Sequence, residues 1–557
     1  MIYLRGEQNN LSADLVLVKG NVITVDPTDR ICESVAVKAG KILSVDTNNE
    51  IKKFIGEQTR VIDLKGRTLT PGMIDVHGHF AMGGTSHLFV LDLRYPKVKS
   101  IAQILKMIKE RVSASEPGQW IQGRGWDEAL FDEQRYIDKN DLDPITPDNP
   151  VILRHTSGHY IAVNSLALKL AGVNKDTPEP IGGTIVRNPV TRGPTGVFME
   201  GPAMNLITEI VPPWTVKEVE EGIKKAQELY FTEGLTSVKD PGVDDTGLIA
   251  YRNLREMGAL KIRSYVLYRV DSARAVNMAV ENGVFGGDDM LNVGGVKIMF
   301  DGSGMARTAW MYEEWNKNFT ELDKGNFGYP VTPVKTMKEI VKAAHDADLQ
   351  ICTHTIGDRA MDVAMDAYEE AIKDNPRGDV RHSLIHANAP SYEQMDRMSD
   401  FGSNLVIETQ SPFLYFIGDN YAGNFGPERS KRMIPLKSML DRGIIVGNSA
   451  DWSVCPFPPR YGLWAAVERK TWKGTYGSHP FGLDESVTVK DALRTYTILA
   501  AKCLFMEDKI GSIESGKYAD MVVWSEDLYN VPVENLKDVK VEMTFVGGQL
   551  QFSKTIE

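Results

Sequence analysis

The feature that most constrains the fold is the segment at residues 71–79, PGMIDVHGH, which ends in two histidines. Side chains alternate along a β-strand, so His77 and His79 point to the same side and both rings can reach one ion. Gly78 between them has no side chain and leaves room for the backbone to approach a ligand. By itself, the pattern fits a metal site and two polar residues at a strand end equally well.

Composition argues against several classes of protein. The chain has 557 residues, of which 42% are hydrophobic and 25% charged, as in ordinary globular proteins. Its net charge of −12, without a basic cluster, disfavours a nucleic-acid partner. No apolar run approaches the ~20 residues that a membrane helix needs, and the first residues lack the pattern of a signal peptide.

The cysteines are far apart in the sequence and form no Cys-x-x-Cys pair. This spacing argues against a disulfide framework and against a thiolate zinc site. Reduced, mostly buried thiols are the expected state, so we expect a cytoplasmic protein. The cysteines are Cys32, Cys352, Cys455 and Cys503.

The middle of the chain alternates predicted strands with predicted helices. Together with the strand in residues 71–79, the pattern gives eight strands, as in a (β/α)8 TIM-like barrel. A three-layer α/β sheet is the alternative. The other predicted strands are residues 235–240, 261–268, 293–301, 349–354, 382–386, 403–409 and 443–451.

Polar residues follow the apolar run of many of these strands, which favours the barrel, because barrel enzymes place their chemistry at the carboxyl ends of strands. Imidazoles and a carboxylate that converge there suit zinc or another borderline divalent metal. His382 stands at the start of its strand, so we expect it at the opposite, structural end. The candidate metal ligands are His77, His79, Lys297, His354, His386 and Asp451.

Three regions of the chain differ in pattern. Residues 1–70 and 510–557 contain short strands separated by glycine turns, for example a single strand over residues 61–69. This pattern predicts a small discontinuous β-sandwich built from both termini. Residues 71–84 and 213–509 form the predicted barrel. Residues 85–212 are too long for a loop and carry their own helices and strands, so we predict an inserted α/β subdomain over the barrel mouth.

Nine segments carry a resemblance to a known family. They occur in order along the chain: PGMIDVHGH (71–79), GRGWDE (123–128), GHYIAVNSLAL (158–168), TSVKDPG (236–242), GGVKIMFDGS (294–303), THTIGDRAMD (353–362), LIHAN (384–388), NSADWSV (448–454) and IGSIESGKYADMVVW (510–524). With these motifs, the sequence resembles the amidohydrolase superfamily and, within it, the amidohydrolase-3 group. The resemblance covers nearly the whole chain.

The resemblance implies one or two bound divalent metals, expected to be Zn²⁺. It also implies that Lys297 is N-carboxylated and bridges two ions, since CO₂ added to the neutral amine gives an anionic carbamate, whereas an ammonium repels cations. An ordinary salt-bridged lysine near Asp301 is the alternative. The implied ligands are His77, His79 and Asp451 for the more buried metal, and His354 and His386 for the second.

The resemblance also suggests catalytic roles. Asp451 would accept the proton of the attacking water and return it to a leaving amine. His159 and Arg307 are candidates to stabilise the oxyanion. Aromatic residues in loops at the barrel mouth suit a hydrophobic or aromatic substrate group, and the candidate contacts are Trp126, Trp310, Phe413 and Trp452.

We therefore predict a hydrolase that cleaves the carbon–nitrogen bond of a small non-peptide amide by a metal-activated water. A lactonase, esterase or phosphotriesterase on the same binuclear site is the main alternative. A cyclic-amide hydrolase or deaminase is less favoured. Deaminases of this superfamily usually carry a glutamate three residues after the histidine of the fifth strand, and in this chain Gly357 stands three residues after His354. A non-catalytic binding protein is disfavoured, since every implied ligand position is filled. The expected partner is a small-molecule substrate, without nucleic acid or membrane, and the family suggests a homodimer.

Overall fold

The computed structural model describes residues 12–94, 97–126, 131–133, 135–155, 160–180, 183–199, 201–315 and 325–554. The chain divides into two compact units, Met1–Gly83 with Ala226–Glu557, and Gly84–Lys225. The first unit contains a parallel barrel together with strands from both ends of the chain. The predicted boundary between sandwich and barrel, and the predicted position of the insert over the barrel mouth, stay predictions.

Eight parallel strands lie side by side in chain order within the first unit, and the predicted (β/α)8 TIM-like fold is confirmed. The backbone N–H of Val76, just after the first strand, donates to the carbonyl of Asn448 in the last strand at 3.5 Å. This bond brings the last strand back beside the first. The strands are β1 (Met73–Asp75), β2 (Leu235–Val243), β3 (Arg263–Arg269), β4 (Leu291–Met299), β5 (Gln350–Thr355), β6 (His382–His386), β7 (Leu405–Thr409) and β8 (Ile445–Asn448).

The barrel strands are buried on both faces. Every residue of β5, β6 and β7 is buried, as expected for parallel strands that pack against side chains inside and helices outside. These strands nevertheless contain polar residues such as Glu408 and His386. Because a buried polar group needs a partner, these residues mark places where the barrel interior is organised by specific contacts.

Helices alternate with the barrel strands along the chain. A capping box begins the helix before β2: Thr215 N–H donates to Glu218 Oε2 at 2.8 Å, and Glu218 N–H donates to Thr215 Oγ1 at 3.3 Å. Among the described residues, every helix is too short or too polar to span a lipid bilayer. The helices between Val216 and the C-terminus are Val216–Phe231, Asp245–Glu256, Ala273–Glu281, Val334–Asp346, Asp358–Asp374, Tyr392–Asp400, Pro412–Phe416, Gly418–Ser430, Leu436–Asp441, Pro459–Glu468, Val489–Thr495 and Ile498–Cys503.

Two further sheets in the first unit come from the ends of the chain. Pro71 pairs with Met521, so one sheet joins both termini. The prediction of a single strand over residues 61–69 is wrong, because Lys65 and Gly66 adopt positive φ angles of 54° and 79° and turn the chain into a different sheet. One sheet contains Leu15–Val18, Ser34–Lys38, Lys41–Asp46 and Arg60–Asp63, and the other Asn21–Ile23, Ile31–Cys32, Thr68–Pro71, Met521–Trp524, Val541–Val546 and Gln549–Ser553.

The second unit has its own mixed sheet and hydrophobic core. The helix Ile101–Ser113 begins at the N-cap Ser100 and buries Ile101, Ile104 and Ile108 on one face, as its apolar spacing requires. The strands are Val90–Asp92, Ile121–Trp126, Val151–His155, Tyr160–Val163, Thr184–Arg187 and Pro194–Met199, and further helices are Lys139–Leu142, Ser165–Leu170 and Gly201–Thr208. The helix Phe80–Phe89 leads into this unit.

A buried pair of histidines lies at the amino-terminal end of the barrel, where His382 begins β6. The ring of His345 links His382 to the end of the helix Asp358–Asp374. Nδ1 of His345 is 2.9 Å from Nε2 of His382, and Nε2 of His345 is 2.8 Å from the carbonyl of Asn375. The backbone N–H of Ile351 donates to His382 Nδ1 at 3.2 Å. Because Nδ1 of His382 accepts this hydrogen bond, the ring of His382 is neutral. Burial, followed by the charges of His345 and Arg377, holds the pKa of His382 well below its usual value.

Replacing His382 by glutamine should reduce the pH dependence of stability. A neutral buried histidine stabilises the fold fully above its unfolded pKa of about 6.5, and the stabilisation is lost as pH falls below that value. Between pH 7 and pH 5.5 the wild-type free energy of unfolding should therefore fall by about 1 kcal/mol more than that of H382Q. Urea unfolding at both pH values measures this difference.

The matched control is H479Q, because His479 is partly exposed and its ring is 3.0 Å from Ser478 Oγ. This variant should keep the wild-type pH dependence. An equal loss of stability in wild type and H382Q between the two pH values would show that His382 is not the titrating group.

Candidate metal centre

The barrel brings the candidate ligands together because they lie at or near the carboxyl ends of its strands, where such folds place their chemistry. Sequence reasoning predicted this placement from the polar residues that follow apolar runs. The structure places His77 and His79 just after β1, Lys297 within β4, His354 within β5, His386 at the end of β6, and Asp451 just after β8.

The tightest group consists of His77, His386 and Asp451. Each offers one ligand atom, and these atoms all lie within 4.8 Å of one another. Nε2 of His77 is 3.6 Å from Oδ1 of Asp451, and all three residues are buried. Two imidazoles and one carboxylate in this arrangement are a suitable donor set for a divalent metal.

His79 reaches the same carboxylate from a more exposed position. Its Nε2 is 3.3 Å from Oδ1 of Asp451, and its side chain is 29% exposed. The backbone N–H of His79 donates to the carbonyl of Trp452 at 3.0 Å. Both histidines of the HxH motif therefore point at Asp451, although they lie after the end of β1 and not within the strand.

His354 and His386 face each other across the site. Nδ1 of His354 is 2.9 Å from Nε2 of His386. The other nitrogen of each ring faces an acceptor: His354 Nε2 is 3.0 Å from the carbonyl of Gly302, and His386 Nδ1 is 2.7 Å from Oε1 of Gln410. These acceptors assign the ring protons to the outer nitrogens. Two nitrogen lone pairs therefore face each other, an arrangement that a cation stabilises.

Lys297 lies beside the histidines with its amine buried. Its Nζ is 3.5 Å from Nε2 of His77, and the residue is 3% exposed. Among the described residues, no carboxylate forms an ion pair with it. Burial lowers the pKa of Lys297 to about 8, so a substantial fraction of the amine is neutral near that pH.

Burial also keeps the imidazoles neutral. Burial, followed by the charge of Lys297, holds the pKa of His77 well below its usual value, and burial lowers the pKa of His386 to about 3. Burial would raise the pKa of Asp451, but the neighbouring imidazoles of His79 and His77 hold it well below its usual range. Neutral rings and an ionised carboxylate are the protonation states that bind a metal.

Unsatisfied atoms support the same conclusion. Nδ1 of His77 and Oδ1 of Asp451 are buried without a hydrogen-bond partner in the part of the chain that the structure describes. A buried polar atom without a partner costs about 1–3 kcal/mol. A divalent cation at Oδ1 of Asp451 would satisfy that oxygen, so these residues fit a metal.

The two oxyanion candidates are not placed against the metal cluster by any described contact. Arg307 lies in the loop after β4 with a positive φ of 57°, and its Nη1 is 3.5 Å from Oδ1 of Asn424. His159 lies outside the described residues. Their roles in catalysis stay predictions.

Two of the four aromatic candidates lie near the ligands. The ring of Phe413 stacks on His386 with centroids 6.1 Å apart, and its side chain is buried. Trp452 follows Asp451 directly and packs against Phe457 and Tyr230, with ring centroids 5.0 and 5.5 Å apart. Phe413 therefore lies against a candidate ligand, whereas Trp452 adjoins one along the chain and packs on other aromatic rings.

The other two aromatic candidates have partners of their own. Trp126 is fully buried in the core of the second unit, where its Nε1 donates to the carbonyl of Leu153 at 3.1 Å. The whole side chain is enclosed in this core, and its role as a substrate contact stays a prediction. The guanidinium carbon of Arg359 lies over the ring of Trp310, 4.5 Å from the ring centroid, in a cation–π contact.

Sequence reasoning missed two charged residues beneath the ligands. Lys239 in β2 and Glu408 in β7 are both fully buried, with Lys239 Nζ 2.5 Å from Oε1 of Glu408. Oε2 of Glu408 is 3.7 Å from Nδ1 of His77. The signal was present, since each charge interrupts a buried apolar run, but the sequence does not show that these two strands bring the charges together.

Comparisons with known proteins are consistent with this site. The model of the amidohydrolase family matches residues 60–552. The protein LONG AFTER FAR-RED 3 of Arabidopsis thaliana is 30% identical over 96% of this chain and 91% of its own. N-substituted formamide deformylase of Arthrobacter pascens is 28% identical over 97% of this chain and 99% of its own. The crystal structure of an uncharacterised metal-dependent hydrolase from Pyrococcus horikoshii matches with a TM-score of 0.76, 25% identity, and coverage of 93% of this chain and 99% of that one.

Replacing His386 by glutamine should lower the zinc content of the purified protein. The change removes one imidazole from the group of candidate ligands. Mutation of a residue that only hydrogen-bonds to a metal ligand typically lowers metal affinity by about 10- to 100-fold, and the loss in H386Q should be larger. Inductively coupled plasma mass spectrometry after chelation, reloading with Zn²⁺ and dialysis measures the bound metal.

H382Q is the matched control, because His382 lies on the same strand at its opposite end. It should bind zinc as the wild type does. Equal zinc content in H386Q and H382Q would remove His386 from the ligand set.

Proposed function

The chain belongs to the amidohydrolase family, and we propose that it cleaves the carbon–nitrogen bond of a small non-peptide amide with a hydrophobic or aromatic group. The observation that carries the proposal is the convergence of His77, His386 and Asp451, whose ligand atoms lie within 4.8 Å of one another. Metal-dependent hydrolysis is the chemistry that such a donor set supports in this family. The similar protein from Arthrobacter pascens is named as an N-substituted formamide deformylase.

The aromatic residues next to two candidate ligands support the substrate class. Phe413 lies beside His386, and Trp452 follows Asp451 in the chain. A substrate with a hydrocarbon or aromatic group on nitrogen would place that group against these rings while its carbonyl faces the ligands. A strongly charged group on the substrate would gain no such apolar contact from these rings.

The ligand residues would hold a divalent metal, expected to be Zn²⁺, which polarises a carbonyl and lowers the pKa of a bound water to about 7. Asp451 accepts a proton from the attacking water, because its carboxylate is ionised and lies within the cluster. It then returns the proton to the departing amine nitrogen. His77 and His386 remain neutral throughout, since burial disfavours their protonation.

A modified Lys297 fits its surroundings. An ammonium 3.5 Å from Nε2 of His77 would repel a cation at that nitrogen, and no described carboxylate pairs with it. Addition of CO₂ to the neutral amine forms a nitrogen–carbon bond and releases one proton, giving an anionic carbamate. The carbamate would be a ligand that can bridge two ions.

A deaminase reaction is disfavoured by the backbone near His354. Gly357 occupies the position where the deaminases considered above carry a glutamate. A Cβ on Gly357 would lie 2.0 Å from the carbonyl oxygen of Trp310, well inside any allowed contact. No side chain fits at this position, so a glutamate cannot act as a proton shuttle from it.

Hydrolysis of a panel of compounds tests the substrate class. N-Benzylformamide should be turned over faster than acylated amino acids, hydantoins, lactones and aryl phosphotriesters, because it combines a small amide with an aromatic group. Amine release and ester hydrolysis are followed with the zinc-loaded protein. Turnover of lactones or phosphotriesters without turnover of any amide would contradict the proposal and favour the alternative substrates.

D451N is the control that assigns the activity to this site. Loss of the general base should lower kcat by about 10²- to 10⁴-fold, with circular dichroism unchanged. A nearly normal rate would remove Asp451 from the role of base.

Carboxylation of Lys297 is tested without an activity assay. The zinc-loaded wild type in ¹³C-labelled bicarbonate should show a carbamate carbon resonance by NMR, because the buried amine is partly neutral and can add CO₂. K297M should lack that resonance. The same resonance in both proteins, or none in the wild type, would show that Lys297 is not carboxylated.

A further inference from the structure

Lys239 and Glu408 form a charged pair inside the barrel that the proposed mechanism does not use. Both side chains are completely buried. The ammonium of Lys239 donates to Oε1 of Glu408 at 2.5 Å, to Oε1 of Gln350 at 2.8 Å and to the carbonyl of Cys503 at 3.3 Å. All three protons of the ammonium are therefore used, and one oxygen of Glu408 is fixed.

The second oxygen of Glu408 is directed towards a metal ligand. Oε2 has no hydrogen-bond partner in the described part of the chain, and neither does Nδ1 of His77. The two atoms are 3.7 Å apart, a few tenths of an ångström beyond a hydrogen bond. A hydrogen bond between these two atoms would give both of them a partner.

A second buried ion pair in the same unit shows what a purely structural pair looks like. Arg263 and Asp520 are also buried, with Nε to Oδ2 at 2.6 Å and Nη2 to Oδ1 at 3.1 Å. The backbone N–H of Gly547 donates to Oδ1 as well, at 2.7 Å. Both oxygens of Asp520 are therefore satisfied within the pair and its surroundings, whereas Glu408 leaves one oxygen for His77.

We propose that Glu408, fixed by Lys239, accepts the Nδ1 proton of His77 and so presents the lone pair of Nε2 to the metal. This inference rests on the proposed metal site and makes Glu408 a positioning residue. Metal-binding histidines commonly donate their other ring N–H to a carboxylate, which fixes the tautomer and the ring orientation. Lys239 holds one oxygen of the carboxylate in place, so that the other oxygen can act as an acceptor.

The variant E408Q reverses the polarity of this contact. The amide oxygen of glutamine would face the ammonium of Lys239, and its NH₂ group would face Nδ1 of His77. A donor at Nδ1 favours the tautomer with the proton on Nε2, the nitrogen needed for the metal. The zinc dissociation constant, measured by competition with a chromogenic chelator, should rise by about 10- to 100-fold.

The double variant K239M/E408Q provides a partial rescue. Without the ammonium, the amide can turn its oxygen towards His77, although it is a weaker acceptor than a carboxylate. Zinc affinity should follow the order wild type, double variant, E408Q. If E408Q does not fold, the double variant can still be measured, because it leaves no unpaired buried charge. Wild-type zinc affinity in the double variant would overturn the proposal.

D520N is the matched control, since it makes the same change in the other buried ion pair. It should lower the melting temperature but leave the zinc dissociation constant unchanged. The Co²⁺-loaded proteins give a second readout: the visible d–d spectrum should change in E408Q and stay as in wild type in D520N. An unchanged zinc constant and spectrum in folded E408Q, or an equal loss of affinity in D520N, would overturn the inference. Failure of the wild type itself to bind zinc would instead contradict the proposed function.

Discussion

Burial of imidazole rings at the carboxyl ends of parallel strands is the constraint on which the site depends. Burial holds the pKa values of His77 and His386 far below neutrality, so both rings keep a lone pair that can bind a cation. The same burial would make an isolated carboxylate costly, yet Asp451 is held in its ionised form by the rings around it. The rings therefore owe their neutral state to burial, whereas Asp451 owes its ionised state to its contacts with His79 and His77.

Beneath the ligands, the barrel interior is polar rather than filled only by hydrocarbon. The ammonium of Lys239 lies among Glu408, Gln350 and the carbonyl of Cys503. A buried ion pair of this kind adds little net stability, since the desolvation of both charges offsets their attraction. Its presence directly below His77 is therefore better explained by the orientation of that ring than by the stability of the barrel.

Much of the fold and the ligand positions could be predicted because they follow from local patterns. Apolar runs followed by His77, His386 or Asp451 predicted both the strands and the candidate ligands, since a barrel gathers the ends of its strands in one place. The pairing of Lys239 with Glu408 could not be predicted, because the two residues are 169 positions apart and their meeting depends on the closure of the barrel. Local patterns likewise do not distinguish an enclosed tryptophan from one that lines a pocket.

The loop after β4 shows how the fold couples a ligand to its surroundings. The carboxylate of Asp301 accepts the backbone N–H groups of Ile356 and Gly357 at 3.0 and 2.8 Å, and that of Trp310 at 3.0 Å. The ring of His354 is fixed from the same loop by the carbonyl of Gly302. The segment that carries Trp310 is thereby tied to the strand end that carries His354. Because these bonds are shared, a change in this loop acts on the orientation of His354 as well as on the position of Trp310.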